Sequence, residues 1–404
     1  MKICFISNLY SPFVIGGAEI YVERIAKALS ENHEVAIITS VPYKNRNSLG
    51  YSFEVRGRVK VYSFYSLNIY HAYYTKRKPL FLKPLWHGLD LWNPHSYLVI
   101  RQILNLIQPD IVHTHNLNGF SLSVIDAVGR ARFPLMHTCH DFSLLCPYAT
   151  FKCPLREDAS CSRPLFVCNV YRQLKKAVIA NKPAVVVFPS KSTQSEYVKN
   201  NFFPLSRQEV LHYCIGPVTT NTRERKEEEP FNILYVGQLT EHKGVQVLIN
   251  AFKGLSYGNA NLHIVGSGDY GLTLKRMAGN DERIFFYGKV ENADVTKFYA
   301  MADVTVVPSI WPEVFGIVIL ESFSHGVPVI GSNIGGIPEV IKEGYNGFMR
   351  EPGDFQGLKD SLEKIIDNFF LLRSMRINAL ESSRLFDINK HVGELTKIYK
   401  SLIH

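Results

Sequence analysis

Short apolar runs rich in β-branched residues alternate with longer amphipathic stretches along most of the chain. In the first 40 residues this pattern predicts a strand at 2–7, a glycine-bearing loop, a helix at about 18–30 and a strand at 34–39. Such a βαβ order is typical of a parallel sheet. The same pattern predicts further strands at 59–64, 111–115, 135–140 and 185–189. One open α/β domain therefore accounts for the first half of the chain.

A polar, charge-dense stretch at 217–230 interrupts the alternation and has no apolar face to bury, which is typical of a linker. The alternation then restarts and predicts strands at 231–236, 262–265, 284–287, 304–307 and 327–330, with helices near 245–252 and 317–324. We therefore expect an N-terminal α/β domain at 1–216 and a C-terminal one at 217–386. The C-terminal helix, about 387–404, can pack back onto the first domain.

The composition, with 404 residues of which 46% are hydrophobic and 20% charged, matches folded globular proteins and excludes a disordered or collagen-like chain. The net charge of +9 is unevenly divided, because residues 1–215 hold 25 Lys and Arg against 13 Asp and Glu, whereas residues 216–404 hold 20 against 23. We expect the first half to face something anionic, such as nucleic acid, a membrane surface or a phosphorylated ligand.

The sequence contains no run of about 18 or more apolar residues, so we expect no membrane-spanning helix. Polar Ser7 and Asn8 break the short apolar run at the N-terminus, which favours an opening strand over a signal peptide. These observations predict a cytoplasmic protein in which any membrane contact is peripheral.

The most informative segment, 308–321, reads as a strand end, a loop and a helix start. The first amides of that helix, near Phe315, Gly316 and Ile317, have no partners within the helix and would attract a pyrophosphate. Glu321 lies five residues beyond Gly316, or about 7.5 Å along a helix. That distance suits a carboxylate that accepts hydrogen bonds from ribose hydroxyls while the phosphates sit at the helix end.

Seven residues separate Glu313 from Glu321, and Glu313 stands in a Pro-Glu-x-Phe-Gly frame. This segment resembles the signature of the retaining nucleotide-sugar glycosyltransferases of family four. The fold of that family, called GT-B, has two Rossmann-like lobes facing each other across a cleft. The resemblance implies that Glu313 contacts sugar hydroxyls and Glu321 contacts the ribose. It also implies that the backbone at Phe315, Gly316 and Ile317 meets the sugar and the pyrophosphate.

Two other segments resemble parts of the family's donor site. Gly16 and Gly17, between the first strand and helix, resemble its glycine-rich donor loop, although a simple turn would also explain them. The segment 236–244 resembles the one that supplies cations to the diphosphate, so Lys243 should neutralise the leaving group. The family usually has arginine where Gln238 stands. Either another basic residue substitutes for it or donor binding is weaker.

Two glycine-bearing segments complete the resemblance on the donor side. Val290, in the segment 288–290, would lie beside the nucleobase, and the segment 335–339 would shape the donor pocket. Glycine turns at strand ends also occur without a ligand. A further segment, 266–271, fits G-x-G-x-x-G and is followed 20 residues later by Glu291, but a tight turn is the preferred interpretation over a dinucleotide site.

In the first domain, the strand-end segment Leu-Met-His-Thr-Cys-His-Asp resembles the one whose final histidine approaches the transferred sugar. By that resemblance His140 is the leading catalytic candidate, with Asp141 placed to position the ring or the acceptor. A structural histidine is the alternative. His115 and Asn116 are expected to line the active site; His113 and His115 share a strand face, but a zinc site needs more ligands than two.

Four of the seven cysteines cluster within 23 residues: Cys146, Cys153, Cys161 and Cys168. In a cytoplasmic protein this density is compatible with a structural zinc or an iron–sulfur cluster, or with free thiols in a long loop. No Asp-x-Asp triplet occurs in the sequence, so the metal-bridged diphosphate site of the other major glycosyltransferase fold has no candidate. We expect no cofactor for the chemistry.

The segment 70–86 interleaves aromatic and apolar residues with Lys76, Arg77, Lys78 and Lys83. Interfacial segments that face anionic lipid have this character, although a packed loop with solvated lysines would as well. This segment leads to the hypothesis of a polyprenyl-diphosphate-linked glycan as acceptor and of peripheral contact with the inner face of the membrane.

Together these features predict a retaining, metal-independent glycosyltransferase that moves a sugar from a nucleoside diphosphate to a glycan or lipid-linked glycan in cell-envelope polysaccharide synthesis. Two alternatives stay open: a catalytically silent nucleotide-sugar-binding partner subunit, and an epimerase or phosphorylase on the same fold. No nucleic-acid recognition motif accompanies the basic charge, so nucleic acid is not an expected partner.

Overall fold

A computed structural model describes residues 1–77, 82–151, 165–179, 181–216, 218 and 228–403. The chain divides into two units, of which unit 1 consists of Met1–His212 and the C-terminal helix, and unit 2 of Tyr213–Asp387. Most of the predicted linker, 217 and 219–227, lies outside the described residues.

Unit 1 contains an eight-stranded sheet of order β3-β4-β2-β1-β5-β6-β7-β8. All neighbouring strands are parallel except β3, which pairs antiparallel with β4 at one edge. The strands are β1 (Lys2–Ile6), β2 (Glu34–Ser40), β3 (Ser52–Arg56), β4 (Val59–Phe64), β5 (Ile111–Thr114), β6 (Leu135–Thr138), β7 (Val185–Phe188) and β8 (Arg207–Val210). The edge strands β3 and β8 were not predicted from the sequence, because neither has a buried apolar run.

The helices of unit 1 are α1 (Gly17–Leu29), α2 (Lys83–Leu91), α3 (Pro94–Ile107), α4 (Ser123–Arg130), α5 (Phe166–Ile179), α6 (Lys191–Lys199) and the C-terminal α13 (Ile388–Ile403). Two hydrogen bonds of 2.8 Å join α13 to the rest of the unit, from Tyr399 to His113 and between His391 and Tyr21 of α1. None of the helices in the described part of the chain is both long and apolar enough to cross a membrane.

Unit 2 contains a six-stranded, fully parallel sheet of order β11-β10-β9-β12-β13-β14. Its strands are β9 (Phe231–Val236), β10 (Ala260–Val265), β11 (Ile284–Gly288), β12 (Val304–Val307), β13 (Val329–Ser332) and β14 (Gly347–Arg350). Its helices are α7 (Val245–Lys253), α8 (Gly271–Ala278), α9 (Asn292–Met301), α10 (Ile317–Ser324), α11 (Phe355–Ile366) and α12 (Phe369–Ser383). In chain order this arrangement is 3-2-1-4-5-6, the strand order of a Rossmann domain.

The core of unit 2 lies on the faces of this sheet. Ile233 of β9, Leu262 of β10 and Val304 of β12 are fully buried and belong to this core. The predicted strand at 327–330 begins two residues later, at Val329, because Pro328 has no N–H to donate to the ladder. The prediction of two α/β sheet domains is confirmed.

Candidate active site

The loops that follow the strands of unit 2 hold most of the residues predicted to bind the donor. Lys243 lies in a 3-10 turn after β9, and Glu313 lies in the loop between β12 and α10. The Nζ atom of Lys243 is 2.5 Å from Oε1 of Glu313, and the Ser309 hydroxyl donates to the same oxygen at 2.6 Å. Because β9 and β12 are neighbours whose following connections run to opposite sides, the ion pair lies at the switch point where open α/β sheets bind ligands.

The ion pair is largely withdrawn from water, since the exposed side-chain fractions are 23% for Lys243 and 10% for Glu313. Burial alone would raise the pKa of Glu313, but the Lys243 ammonium, the Ser309 hydroxyl and the charge of His242 hold it below its usual value. Glu313 is therefore a carboxylate at neutral pH. It can accept hydrogen bonds from the hydroxyls of a sugar.

Two glycines let the backbone approach this pair closely. A Cβ on Gly244, which follows Lys243 and has φ +72°, would lie 1.8 Å from the carbonyl oxygen of Pro308. A Cβ on Gly335, with φ +64°, would lie 2.2 Å from the carbonyl oxygen of Glu313. The next amide, of Gly336, donates to that carbonyl at 2.7 Å. Contact with the Glu313 loop thus explains the glycine at position 335 of the predicted segment 335–339.

Helix α10 carries the second carboxylate of the motif. The helix begins after Gly316, which has φ +90° and so favours glycine. Glu321, which is partly exposed, accepts a hydrogen bond of 3.1 Å from the Tyr299 hydroxyl of α9. Burial raises the pKa of Tyr299 well above its ordinary value, and the Glu321 charge adds to this effect. The phenol therefore stays protonated and orients the carboxylate.

The remaining residues predicted to bind the donor follow the carboxyl ends of strands β9, β11 and β12 and differ in their exposure. The carbonyl of Gln238 accepts from the Tyr235 hydroxyl at 2.8 Å, and Val290 packs, partly buried, against a small hydrophobic cluster. The ring of Phe315 is fully buried and meets Tyr213 edge-on at 5.4 Å, so only its backbone is suited to a ligand. Ile317, the first residue of α10, is also buried.

The G-x-G-x-x-G segment is filled by the protein itself. A Cβ on Gly266 would lie 1.8 Å from the carbonyl oxygen of Gly237, and one on Gly268 would lie 2.2 Å from that of Leu239. The Leu239 amide also donates to the Ser267 carbonyl at 3.1 Å. These glycines allow the loops after β9 and β10 to pack backbone against backbone, which supports the interpretation as a turn.

In unit 1 the predicted glycine loop contains a carboxylate that the sequence analysis missed. Gly16 precedes α1 and Gly17 begins it, and Glu19 Oε2 accepts from the amides of Gly16 at 2.8 Å and Ile15 at 3.3 Å. Burial, with a smaller contribution from the charge of Asp141, raises the pKa of Glu19 to about 7 against the opposing effect of the amides. The signal was available, because a glutamate three residues after a helix cap is typical of a capping box.

Five buried histidines cluster near the carboxyl ends of β5 and β6. His115 Nδ1 lies 2.9 Å from His140 Nε2, just beyond the two strand ends. Burial lowers the pKa of His140 to about 3, which leaves the ring neutral and able both to donate and to accept. Both ring nitrogens of His113 are engaged by Tyr399 and Thr138, so this residue is not placed to bind a metal. The remaining members are His137 and His391.

His140 also lines a small cavity of about 10 Å³, room for about one water molecule, at the carboxyl edge of the unit 1 sheet. His115, Asn116 and Asp141 line the same cavity, so the structure brings these predicted residues together. Asp141 is partly buried, and its side chain accepts from the Ser143 amide at 2.8 Å.

Lys175 and Asp90 were missed by the sequence analysis and line this cavity as well. Their Nζ and Oδ2 atoms are 3.7 Å apart, and the side chains are only 2% and 1% exposed. Burial lowers the pKa of Lys175 and raises that of Asp90. The charge of each residue partly offsets the pKa shift of its partner. No sequence signal joins residues that lie on separate helices, α2 and α5.

Two of the four clustered cysteines lie among the described residues. Cys146 is buried and Cys168 is partly exposed, while Cys153 and Cys161 lie outside the described residues. Within the described ranges, no group of three or more His, Cys, Asp and Glu side chains could hold a metal ion. The cluster therefore stays a prediction.

In the segment 70–86, Trp86 is buried and stacks on Tyr70 at 5.6 Å, as a packed loop would. The ammonium of Lys83 lies 6.0 Å from the Tyr148 ring. Lys78 and the side chains of Lys76 and Arg77 lie outside the described part of the chain.

The two halves of the chain match two families of glycosyltransferases. Residues 15–215 match the model described as Glycosyltransferase Family 4, and residues 218–382 match Glycosyl transferases group 1. The chain belongs to the family-four glycosyltransferases. The predicted resemblance to this family is thereby confirmed, and with it the assignment of the protein to the transferases.

Relatives and solved structures of this glycosyltransferase agree with the assignment. An uncharacterized 42.6 kDa protein in the cps region of Klebsiella pneumoniae is 28% identical over 347 residues, which are 85% of this chain and 88% of that protein. Sucrose-phosphate synthase from Thermosynechococcus elongatus has a TM-score of 0.76 at 18% identity, covering 100% and 99% of the two chains. HepE of Anabaena in complex with UDP has a TM-score of 0.71 at 20% identity, covering 100% of both. These likenesses confirm the predicted GT-B fold with its two Rossmann-like domains.

Proposed function

We propose that this glycosyltransferase moves a sugar from a nucleoside diphosphate to a hydroxyl of a glycan, with retention of anomeric configuration. The observation that carries the proposal is the Lys243–Glu313 ion pair at the switch point of the unit 2 sheet. An ammonium there suits a diphosphate, and an ionised carboxylate suits sugar hydroxyls. The structure of HepE, which has the same fold, was solved in complex with UDP, and this supports a nucleotide as part of the ligand.

On the donor side, each residue has a distinct task in this proposal. Lys243 neutralises the diphosphate, and the amide end of α10 at Gly316 adds positive potential. The leaving group therefore has positive charge beside it although Gln238 stands where the family usually has arginine. Glu321, held by Tyr299, accepts from the ribose hydroxyls. Glu313 accepts from hydroxyls of the transferred sugar.

The reaction breaks the bond between the anomeric carbon and the diphosphate oxygen, and forms a bond from that carbon to the acceptor oxygen on the same face. The acceptor proton passes to the departing diphosphate oxygen, so no protein base is consumed. Neutral His140 bonds a sugar hydroxyl, and Asp141 positions the acceptor. Because Lys243 and the helix end supply the positive charge, we expect turnover without a divalent metal.

The acceptor is proposed to bind at the carboxyl edge of the unit 1 sheet, where His115 and Asn116 line the small cavity. The cps-region relative supports a role in cell-envelope polysaccharide synthesis. The basic character of residues 1–215 supports a lipid-linked acceptor and peripheral contact with the cytoplasmic face of a membrane.

A direct test measures binding and transfer separately. Thermal shifts with a panel of UDP-, GDP-, ADP- and dTDP-sugars identify the donor, since a ligand of the native state raises the melting temperature. Transfer to a glycan acceptor is then followed with EDTA present, and NMR reads the configuration of the new linkage. We expect transfer with retention. Donor binding without any transfer would instead indicate a silent subunit. Conversion of the donor without an acceptor would indicate an epimerase. A requirement for phosphate would indicate a phosphorylase.

A further inference from the structure

Two helices of unit 1 expose a row of large apolar side chains. On α2, Leu85 and Leu89 are one helical turn apart, and on α5 Phe166, Val170 and Leu174 follow one another at intervals of four residues, beside Val167. Their exposed fractions are 64% for Leu85, 39% for Leu89, 85% for Phe166, 67% for Val167, 40% for Val170 and 47% for Leu174. We call these six side chains the α2–α5 face.

Two side-chain contacts hold the two helices against each other. The His87 Nδ1 atom of α2 lies 3.1 Å from the Tyr171 hydroxyl of α5, and the buried Asp90–Lys175 pair joins the helices at a second point. Large exposed apolar patches usually mark sites of interaction with a protein or a membrane.

Apart from one buried ion pair, the charged side chains of α2 and α5 are all basic. Asp90 is the one acidic residue on α2 and α5, and it is buried against Lys175. The remaining charged residues of the two helices are the partly exposed Lys83, Arg172 and Lys176. Unit 1 as a whole holds 28 Lys and Arg against 14 Asp and Glu, whereas unit 2 holds 17 against 22.

We propose that the α2–α5 face docks this glycosyltransferase on an anionic lipid bilayer, with Phe166 and Leu85 entering the boundary between headgroups and acyl chains. The inference rests on the proposed membrane contact and assigns it to a surface. Exposed apolar side chains flanked by cations are typical of interfacial helices, and negative headgroups complement the basic flanks. A second copy of this face would bring the same cations against one another, which disfavours a dimer.

The test uses full-length protein and co-sedimentation with vesicles of phosphatidylglycerol and phosphatidylcholine, or of phosphatidylcholine alone. The double variant Phe166→Ser/Leu85→Ser removes two exposed side chains of the face. The matched control Phe370→Ser/Leu272→Ser removes side chains that are 80% and 77% exposed on unit 2. We expect wild type and control to bind anionic vesicles equally, and the face variant to lose about tenfold or more in partitioning.

Charge is tested by Lys83→Gln/Lys176→Gln, which should weaken binding to anionic vesicles by about tenfold and leave binding to phosphatidylcholine unchanged. The proposal is overturned if the wild type does not bind vesicles, if face and control variants bind alike, or if the face variant dissolves a dimer seen by sedimentation. Donor thermal shifts measured on the same variants should stay unchanged. Vesicle binding without any donor shift would refute the proposed transferase function and leave the docking surface standing.

Discussion

Lys243 Nζ and Glu313 Oε1 lie 2.5 Å apart across the switch point of the unit 2 sheet, although the two residues are 70 positions apart in the chain. The β9 loop supplies the cation and the β12 loop the carboxylate. In the proposed function the two groups bind different parts of one ligand. Lys243 must therefore divide its hydrogen bonds between Glu313 and the incoming diphosphate.

This competition predicts opposite effects of two substitutions on nucleotide binding. Lys243→Met removes the cation and should weaken UDP binding about ten- to a hundredfold, as expected for a charge-assisted hydrogen bond. Glu313→Gln should keep or strengthen UDP binding, because Lys243 is released, while turnover falls about a hundredfold or more. Isothermal titration with UDP and a transfer assay distinguish the two.

Lys275→Met serves as a control, since Lys275 is a cation of α8 in the same unit. It should bind UDP like the wild type. Equal loss of UDP affinity in Lys243→Met and Lys275→Met would show that only general charge matters. Unchanged turnover in Glu313→Gln would remove Glu313 from the site.

The Tyr299–Glu321 hydrogen bond predicts a test specific to the ribose. Glu321→Gln should lower UDP affinity about tenfold, but should hardly affect 2′,3′-dideoxy-UDP, which has no vicinal hydroxyls for the carboxylate to accept from. Tyr299→Phe keeps the carboxylate and loses its 3.1 Å anchor, so a few-fold effect in the same direction is expected. Equal losses for both nucleotides on Glu321→Gln would contradict the ribose assignment.

Local signals made the donor-side motif predictable. The predicted helix at 317–324 coincides with α10, Ile317–Ser324. Its local signals are Gly316, which precedes the helix, and the continuous apolar run that follows. Predicted strands at 59–64, 231–236 and 304–307 also coincide with β4, β9 and β12, whose buried β-branched runs identify them.

Long-range packing explains what the sequence did not predict. Asp90 and Lys175 meet only because α2 packs against α5, and neither residue has a local motif. Strand β3 alternates polar and apolar residues, but all five are exposed or partly exposed, so it lacks the buried apolar run by which the other strands were predicted. His391 reaches Tyr21 from the C-terminal helix, a contact that depends on the path of the whole chain.

Buried titratable groups in unit 1 predict a pH dependence of stability with two opposite slopes. His137, His140 and His391 have pKa values lowered by burial to about 4, 3 and 4, so their stabilisation is present above pH 6.5 and is lost as the pH falls below it. Glu19, with its pKa raised to about 7, contributes stability at low pH that is lost as the pH rises through 7. Each group changes the free energy of unfolding by about 1.4 kcal/mol per pH unit over its window. The histidines therefore outweigh Glu19 below pH 6.5.

Glu19→Gln isolates one slope, because glutamine resembles the protonated acid and can still accept from the Gly16 amide. At pH 8 the variant should be more stable than the wild type by roughly 3 kcal/mol, which amounts to several degrees in melting temperature. At pH 4.5 the two proteins should melt together. A constant difference across this range would mean that Glu19 does not titrate near neutrality.

Because Gly335 closely contacts the loop that carries Glu313, we expect position 335 not to accommodate a side chain without a shift of that loop. Gly335 and Gly344 both have positive φ, +64° and +73°, so alanine at either should cost about 1 kcal/mol in backbone strain. A Cβ at Gly344 meets nothing within 4 Å, whereas one at Gly335 would lie 2.2 Å from the Glu313 carbonyl. Gly335→Ala should therefore lower the melting temperature further than Gly344→Ala. At temperatures where both variants are folded, it should also reduce sugar transfer about tenfold or more, because the loop carrying Glu313 must move. Equal melting temperatures and equal transfer rates in the two variants would show that the loop yields without consequence for the site.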